Sequence, residues 1–411
     1  MTVTPDARYS LQNGQPVPLQ GVGTRPGTPI LGLLARRGFR QHLGAAILVM
    51  IMFLIVAWAI DLAQTLDQVL ERARELDRSP GLLLATYLGM RAVDIATRLF
   101  PVACFIGVFA AELVRLFNRE TTVMGAAGWS PRQTLAVVCL FGLVTGGFQF
   151  ALERWWRPAA VFAQAELELG GYGRRFAAGD VGEPSWFVVN GGALKARVLR
   201  SGEPELADVE FYRGVVAGDL RDVIVARRGE PSGRPGFWRF HGVALWARLP
   251  GEENGTQGQP PAFAQTSLYL ISQYPVLELR LDLLPETLTY HDIPAFYLPQ
   301  GPLERLAGDD NPLKGADVDA ALWRRWAAFF LPGAYALLGA SLAPVAGAGR
   351  IVSPFRIVVL ALCGYLALVA TKVSWAMGEI GVLTGFTSSW LSILLALLGT
   401  LVAQSMLSRP H

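Results

Sequence analysis

Five basic residues lie close to the predicted ends of long apolar segments, and their charge and placement suit them to bind an anion. They are Arg91, Arg98, Arg324, Arg325 and Lys372. Guanidinium and ammonium groups bind phosphate oxygens, so cations at such a boundary suit the headgroup of a phosphate-bearing lipid. The commoner role of each is to snorkel out of an apolar helix or to pair with a nearby acid, as Arg98 can with Asp94 one turn earlier. Arg325 is the residue for which we favour a ligand-binding role.

The complete sequence contains none of the familiar catalytic or nucleotide-binding motifs. Its four histidines form no paired motif, and neither H-E-x-x-H nor G-x-S-x-G occurs. It also contains no G-x-x-x-x-G-K-[ST] loop to hold the phosphates of ATP. The three cysteines, Cys104, Cys139 and Cys363, all fall in apolar segments, which predicts neither a disulfide framework nor a Cys metal site. We therefore expect a chain that is not an enzyme and that binds no cofactor or metal itself.

Long apolar segments predict a membrane protein with six spans in a 3 + 3 arrangement. Hydrophobic residues make up 52% of the 411 residues, and only 17% are charged. At about 1.5 Å per helical residue, four uncharged runs cross, or nearly cross, a hydrocarbon core of about 30 Å: Leu43–Ile60, Gln133–Leu152, Trp326–Gly349 and Ile380–Ser408. Two weaker spans extend beyond Leu99–Ala111 and Arg356–Thr371.

The distribution of arginine predicts the orientation of these spans. Arginines are frequent in residues 1–40, in the loop after the second span and in the loop after the fourth. Short cytoplasmic segments are enriched in Lys and Arg, so we expect both termini on the cytoplasmic side of the membrane. Residues 1–40 are polar and rich in Gly and Pro, which predicts a disordered cytoplasmic tail.

Residues 153–321, between the third and fourth spans, have the pattern of a β-domain on the opposite, extracytoplasmic side. Leu194, Ala196 and Val198 alternate with Lys195 and Arg197. Many short alternating segments separated by turn residues predict an antiparallel sandwich, jellyroll or barrel. The inward apolar face is either an ordinary core or a slot for lipid chains, and the pattern is the same for both.

A short helix is predicted over residues 118–128, in the loop between the second and third spans. Asn118 is a plausible N-cap, Glu120 lies in the first turn, and Gly128 is the expected stop. Ser130 and Gln133 then form a capping box that begins the third span. A connector resting on lipid headgroups would be rich in Lys, Arg and large apolar residues. This helix is small, with one acid and a protruding Met124, which favours docking into a groove on another protein.

The sequence of this loop resembles the coupling helix of the LptF/LptG family, the membrane subunits of the lipopolysaccharide export ABC transporter. The matching residues are Arg119, Glu120, Val123, Met124, Ala127 and Gly128. Further similarities are distributed over roughly residues 40–408: Asp61, Leu99-Phe100-Pro101, Trp238-Arg239-Phe240, Leu322-x-x-Arg325 and Lys372-Val373-Ser374-x-Ala376-Met377-Gly378. The last of these stretches resembles LptG more than LptF. The family's Pro-Pro and Trp-x-Pro near the sixth span are replaced here by Thr384-Gly385 and Trp390-Leu391.

The resemblance implies a function, partners and site residues. It implies an α+β membrane protein with an inserted periplasmic antiparallel β-jellyroll, and a permease subunit that extracts lipopolysaccharide and passes it to a periplasmic bridge. Implied partners are a cytoplasmic LptB-like ATPase dimer that binds ATP and Mg, a second LptF/LptG-type chain and an LptC-like bridge protein, with no nucleic acid. The six loop residues named above would contact the ATPase, Glu120 facing a basic residue. Asp61, Arg98, Arg325 and Lys372 would line the substrate path.

The expected domain order follows from these observations. Residues 1–40 form the tail, 41–152 the first three spans with the short helix, 153–321 the β-domain and 322–408 the last three spans. Two other functions remain open from sequence: the membrane subunit of another ABC-type lipid or lipoprotein exporter, and a non-catalytic scaffold for a periplasmic β-domain. Six spans are more than an anchor needs, and a scaffold leaves the capped helix unexplained.

Overall fold

A computed structural model of the chain shows six long helices and one inserted β-domain. It describes residues 9–12, 15–18, 29–176, 183–199, 204–218, 220–234, 236–248, 269–308, 311, 314–347 and 353–407. Six of its helices are long and apolar enough to cross a membrane, three before the β-domain and three after it. This confirms the predicted fold class, an α+β membrane protein with an inserted β-domain.

The first three spans are longer than a bilayer requires. The first is α1 (Pro29–Glu75) and the second is α2 (Pro80–Phe117), with the short α3 (Glu120–Ala126) after it. The third consists of α4 (Pro131–Ala151), a π-helical turn (Leu152–Trp156) and α5 (Arg157–Glu166). We call the end of the bundle at residues 118–130 the loop end, and the opposite end, at which α5 leads towards the β-domain, the sheet end.

Two predicted boundaries are wrong. Residues 29–40 are helical because Leu, Ala and Arg, which are good helix formers, continue α1 towards the N-terminus. The tail also contains the paired strands β1 (Tyr9–Gln12) and β2 (Gln15–Pro18), and its other residues lie outside the described part. The helix of the third span continues past residue 153 to Glu166, because Glu153 and Arg157 pair across one turn at 3.1 Å and do not break it.

A linker region of short helices joins the sheet to the bundle. It contains α6 (Gly170–Phe176), α7 (Pro285–Thr289), a 3-10 turn (Ala295–Tyr297) and α8 (Gln300–Leu306). Their apolar side chains share a core with the end of α5. The chain then re-enters the bundle as α9 (Ala316–Ala346), α10 (Pro354–Glu379) and α11 (Gly385–Leu407).

The β-domain is one six-stranded antiparallel sheet with strands β3 to β8. The strands are Ser185–Val189, Gly192–Leu199, Glu205–Arg213, Asp222–Pro231, Phe237–Arg248 and Tyr269–Arg280. Each strand pairs with its neighbours along the chain. The described strands therefore have meander connections, whereas the predicted jellyroll would place non-consecutive strands side by side. The predicted period of two is confirmed in β4, where Leu194, Ala196 and Val198 are buried in the core of the domain.

Packing of the bundle is tightest where glycines face another backbone. A Cβ built on Gly107 of α2 would lie 2.6 Å from the Ala46 backbone of α1, and one on Gly142 of α4 would lie 2.7 Å from Gly333 of α9. The spans differ in burial. In the most apolar window of each helix, 67% of the residues of α9 are buried, against 11% for α1 and 17% for α10. The helices α1 and α10 thus present most of their apolar surface outwards.

Candidate functional site

The short helix α3 lies at the loop end, between a residue with left-handed backbone conformation before it and a glycine stop after it. Arg119 precedes it in a left-handed conformation, with φ of 58°. The predicted N-cap Asn118 is instead the C-cap of α2, where its N–H donates to the carbonyl oxygens of Val114 and Leu116. The prediction of a helix over 118–128 is therefore too long by two residues at each end. The chain needs the left-handed residue because α2 ends only two residues before α3 begins.

The stop signal after α3, Gly128, was correctly predicted. Gly128 has a φ of +82°, a conformation that glycine adopts without steric cost. The N–H of Trp129 donates to the Met124 carbonyl at 2.9 Å and that of Gly128 to the Gly125 carbonyl at 3.0 Å, which together form a Schellman motif. The Ser130 capping box then begins α4, with the Ser130 N–H donating to Gln133 Oε1 at 2.7 Å.

The six predicted docking residues lie on α3 or directly beside it, and none of them is buried. We call them the docking surface: Arg119, Glu120, Val123, Met124, Ala127 and Gly128. No residue of α3 is buried, and Val123 is 69% exposed. Glu120 forms an exposed ion pair with Arg37 of α1 at 3.1 Å. Such a pair contributes at most about 1 kcal/mol, so a basic group on another protein can replace Arg37 at little cost.

Two cavities separate α3 from the helices beneath it. One, of about 350 Å³, is lined mainly by apolar residues of α3, α4, α9 and α11; the other, of about 200 Å³, lies between α3 and α1. Met124 and Arg115 line both cavities. The helix is therefore separated from the bundle by cavities and is supported by only a few side chains, which leaves it room to move.

At the sheet end, Asp61 and Asp94 organise a cluster of ion pairs. Asp61 of α1 accepts hydrogen bonds from Arg91 Nη2 at 2.6 Å and Nε at 3.1 Å, and from the Tyr87 hydroxyl at 2.6 Å. Arg91 also reaches Asp94 at 3.3 Å. The pairing of Asp94 with Arg98 that the sequence suggested is confirmed, at 3.1 Å. The candidate path residues Asp61 and Arg98 thus belong to one network.

The network continues through Glu153 and Arg157, two buried charges that sequence reasoning did not single out, and reaches Arg324, which it did. Arg157 of α5 contacts Asp94 and Glu153, each at 3.1 Å. Glu153 lies 3.7 Å from Arg324 of α9. Arg324 in turn lies 3.6 Å from Glu379 of α10. The sequence did contain a signal for them, because Glu153 and Arg157 are four residues apart directly after an apolar run. Charged residues buried inside a membrane bundle are found almost only in pairs.

Tyrosines of the linker region attach it to this network. The hydroxyls of Tyr172 and Tyr297 both accept from Arg98 Nη2 at 2.6 Å, and Tyr172 donates to Asp94 at 2.8 Å. Burial, with the nearby Asp94 carboxylate, raises the pKa of Tyr172 well above its usual value, so its phenol stays protonated and continues to donate. The network therefore ties α2 directly to the segments that flank the sheet.

The other two candidate path residues are placed differently. Arg325 is only 2% exposed and donates to Gln300 Oε1 at 2.6 Å and to the Leu298 carbonyl, so it fastens the linker region to α9. Lys372 of α10 lies over the Trp375 ring at 4.7 Å, and the described residues give it no carboxylate partner. The structure does not gather the four residues at one point.

Tryptophans on the spans concentrate at the level of this network. Seven of the eleven lie towards the sheet end of the long helices: Trp58, Trp155, Trp156, Trp323, Trp326, Trp375 and Trp390. Trp and Tyr are enriched where a membrane meets water, so this belt indicates that the network lies near a membrane boundary. No group of three His, Cys, Asp or Glu that could hold a metal occurs in the described part of the chain.

Comparison with known proteins agrees with this geometry. None of the curated proteins matches the chain significantly. The family model described as "Lipopolysaccharide export system permease LptF/LptG" matches residues 38–405, which include all six spans, α3 and the β-domain. The chain belongs to the LptF/LptG family and is a multi-pass membrane permease component of lipopolysaccharide export.

Proposed function

We propose that this subunit extracts lipopolysaccharide from the bacterial inner membrane and passes it to a periplasmic β-jellyroll bridge, driven by a separate ATPase dimer. The observation that carries the proposal is the exposed docking surface, which lies at the opposite end of the bundle from the β-domain. A docked ATPase would supply the force, with ATP and Mg bound in that partner.

The charges support a cytoplasmic loop end and a periplasmic β-domain. Arg36, Arg37 and Arg40 are exposed on α1 at the loop end, with Arg119 on the adjoining loop and Arg132 in the first turn of α4. Positive charge in short segments favours the cytoplasmic side. Both termini would then lie in the cytoplasm, and the tryptophan belt would lie at the periplasmic face of the inner membrane.

The exposed spans suit a lipid with several acyl chains. Each CH₂ group that leaves the bilayer costs about 0.8 kcal/mol, so the chains must remain in apolar surroundings. The outward surfaces of α1 and α10 offer these surroundings and also a face for a second LptF/LptG-type chain. At the sheet end, Arg98, whose side chain is 42% exposed, and Lys372 remain accessible to headgroup phosphates, next to a β-domain suited to an LptC-like bridge protein.

The replacement Glu120→Arg tests the docking of the ATPase. It places a cation beside Arg37 and faces the basic group that we expect on the ATPase, so co-purification of the ATPase from detergent should be lost. Membrane insertion should be normal, since no residue of α3 is buried. Glu304→Arg is a matched control: it also reverses an exposed, weakly paired carboxylate, 3.7 Å from Arg154, but at the sheet end. Equal recovery of the ATPase with E120R and with the unmodified chain would contradict the proposal.

A further inference from the structure

We propose that His42, Glu112 and Arg115 form a buried link that carries movement of α3 to the first span, which makes them positioning residues for transport. This inference rests on the proposed function, because it assumes that the ATPase moves α3. The three residues lie at the loop end of α1 and α2, and they take no part in the docking surface or the sheet-end network.

The contacts join the two helices through charged groups. His42 Nε2 lies 2.6 Å from Glu112 Oε1, and Arg115 Nη1 lies 2.7 Å from the same oxygen. Arg115 also donates from Nε and Nη2 to Gln41 Oε1, at 2.8 and 2.6 Å. A Cβ placed on Gly38 would lie 3.0 Å from Arg115 Nη2, so the guanidinium lies directly against α1.

Burial makes this link stiff. His42 is fully buried, and Glu112 and Arg115 are each 5% exposed. Arg115 and the His42 ring meet at the same oxygen of Glu112, so one carboxylate holds both helices together. Breaking such a contact strands a charge in an apolar interior, which is costly. Thermal motion therefore does not readily separate α1 from α2 here.

The position relative to α3 gives the link its role. Arg115 lies two residues before the end of α2 and lines both cavities under α3. The ion pair that joins α3 directly to α1, Arg37–Glu120, is exposed, and a docked partner would disrupt it. Displacement of α3 into either cavity must press on Arg115, and Arg115 can pass it to α1 through Gln41 and Glu112. The span that receives it, α1, has the lowest buried fraction of the six in its most apolar segment, so fewer side chains of the bundle oppose its displacement there.

Replacements of His42 in the complete complex, reconstituted in proteoliposomes with the ATPase, test the link. The readouts are ATPase co-purification, ATP hydrolysis and lipopolysaccharide released per ATP. His42→Phe keeps the ring and removes the donor, so binding and hydrolysis should be retained while release per ATP falls about tenfold, within the 5- to 150-fold range typical of coupling. His42→Gln restores an Nε2–H donor and should recover most of the release.

Ser341→Ala is the matched control, since Ser341 is another fully buried polar residue near the loop end that accepts a hydrogen bond, from Gln404 at 3.1 Å. Its release per ATP should be unchanged. If H42F does not assemble, Arg115→Lys takes its place, because it keeps the charge and loses the fork to Gln41. Full coupling in the assembled variant would overturn the link while leaving the docking proposal intact. Failure of the unmodified chain to bind the ATPase would instead overturn the proposed function.

Discussion

Asp94 shows how single residues hold the sheet end together. Its carboxylate is within ion-pair distance of Arg91, Arg98 and Arg157 and accepts from the Tyr172 hydroxyl. These partners come from α2, α5 and the linker region. One buried acid therefore balances cations from several elements, and its loss would leave them repelling one another.

Asp94→Asn should destabilise the chain more than an ordinary surface change. The amide keeps the shape but removes the charge, and breaking a buried pair from one side costs about 3–5 kcal/mol. We expect a clearly lower thermal unfolding midpoint in detergent. Glu168→Gln is the control, because Glu168 pairs with Arg72 at 3.2 Å while 54% exposed, a type of contact worth about 0–1 kcal/mol. Equal midpoints for the two variants would show that the Asp94 carboxylate does not stabilise this network.

Residue-scale contacts could be predicted from sequence only where they are local. Arg98 and Asp94 are one helical turn apart, and their pairing follows from that spacing. Asp61 and Arg91 are 30 residues apart in sequence and lie on different helices, so their contact depends on how α1 and α2 pack. Lys372 and Glu379 could pair by their spacing of seven, yet Glu379 lies beside Arg324 of α9. Packing between helices, which the sequence does not state, decides these partners.

At the scale of elements too, helix ends set by local signals could be predicted from sequence, and helix ends set by packing could not. Gly128 and the Ser130 capping box are local signals, and they were predicted correctly. The π-helical turn at Leu152–Trp156 has no such signal, and the continuation of the third span into α5 depends on the buried ion pair of Glu153 and Arg157. Charged residues that find partners inside a bundle do not end a helix, so the boundary at residue 153 was predicted too early.

Two glycines of α2 provide an element-scale prediction. Gly107→Ala would place a methyl group 2.6 Å from the Ala46 backbone, so α1 and α2 must move apart. We expect a lower unfolding midpoint and weaker ATP-driven transport. A methyl group on Gly89 would meet no atom within 4 Å, so Gly89→Ala should raise stability by about 1 kcal/mol through helix propensity. Thermal unfolding of both variants measures this contrast; a stable G107A protein would show that the close approach is unimportant.

At the scale of the whole molecule, the helix bundle connects the loop end to the sheet end. The 3 + 3 arrangement was predictable because each span carries its own hydrophobic signal. The sheet order was not, since alternation shows which residues face inwards but not which strand pairs with which. The bundle holds α3 at one end and the ion network and sheet at the other, and our proposal assigns the first end to a docked ATPase.

The most direct test of this account is ATP-dependent photocrosslinking of lipopolysaccharide to the β-domain in proteoliposomes that hold the complete complex. A photoreactive residue replaces Leu245, which packs against the core of the sheet. We expect a lipopolysaccharide adduct that appears on addition of ATP and is absent when the complex carries Glu120→Arg. An adduct that forms equally without ATP, or none at all while the complex hydrolyses ATP, would contradict the proposal that ATP drives this subunit to extract lipopolysaccharide and pass it on at its sheet end.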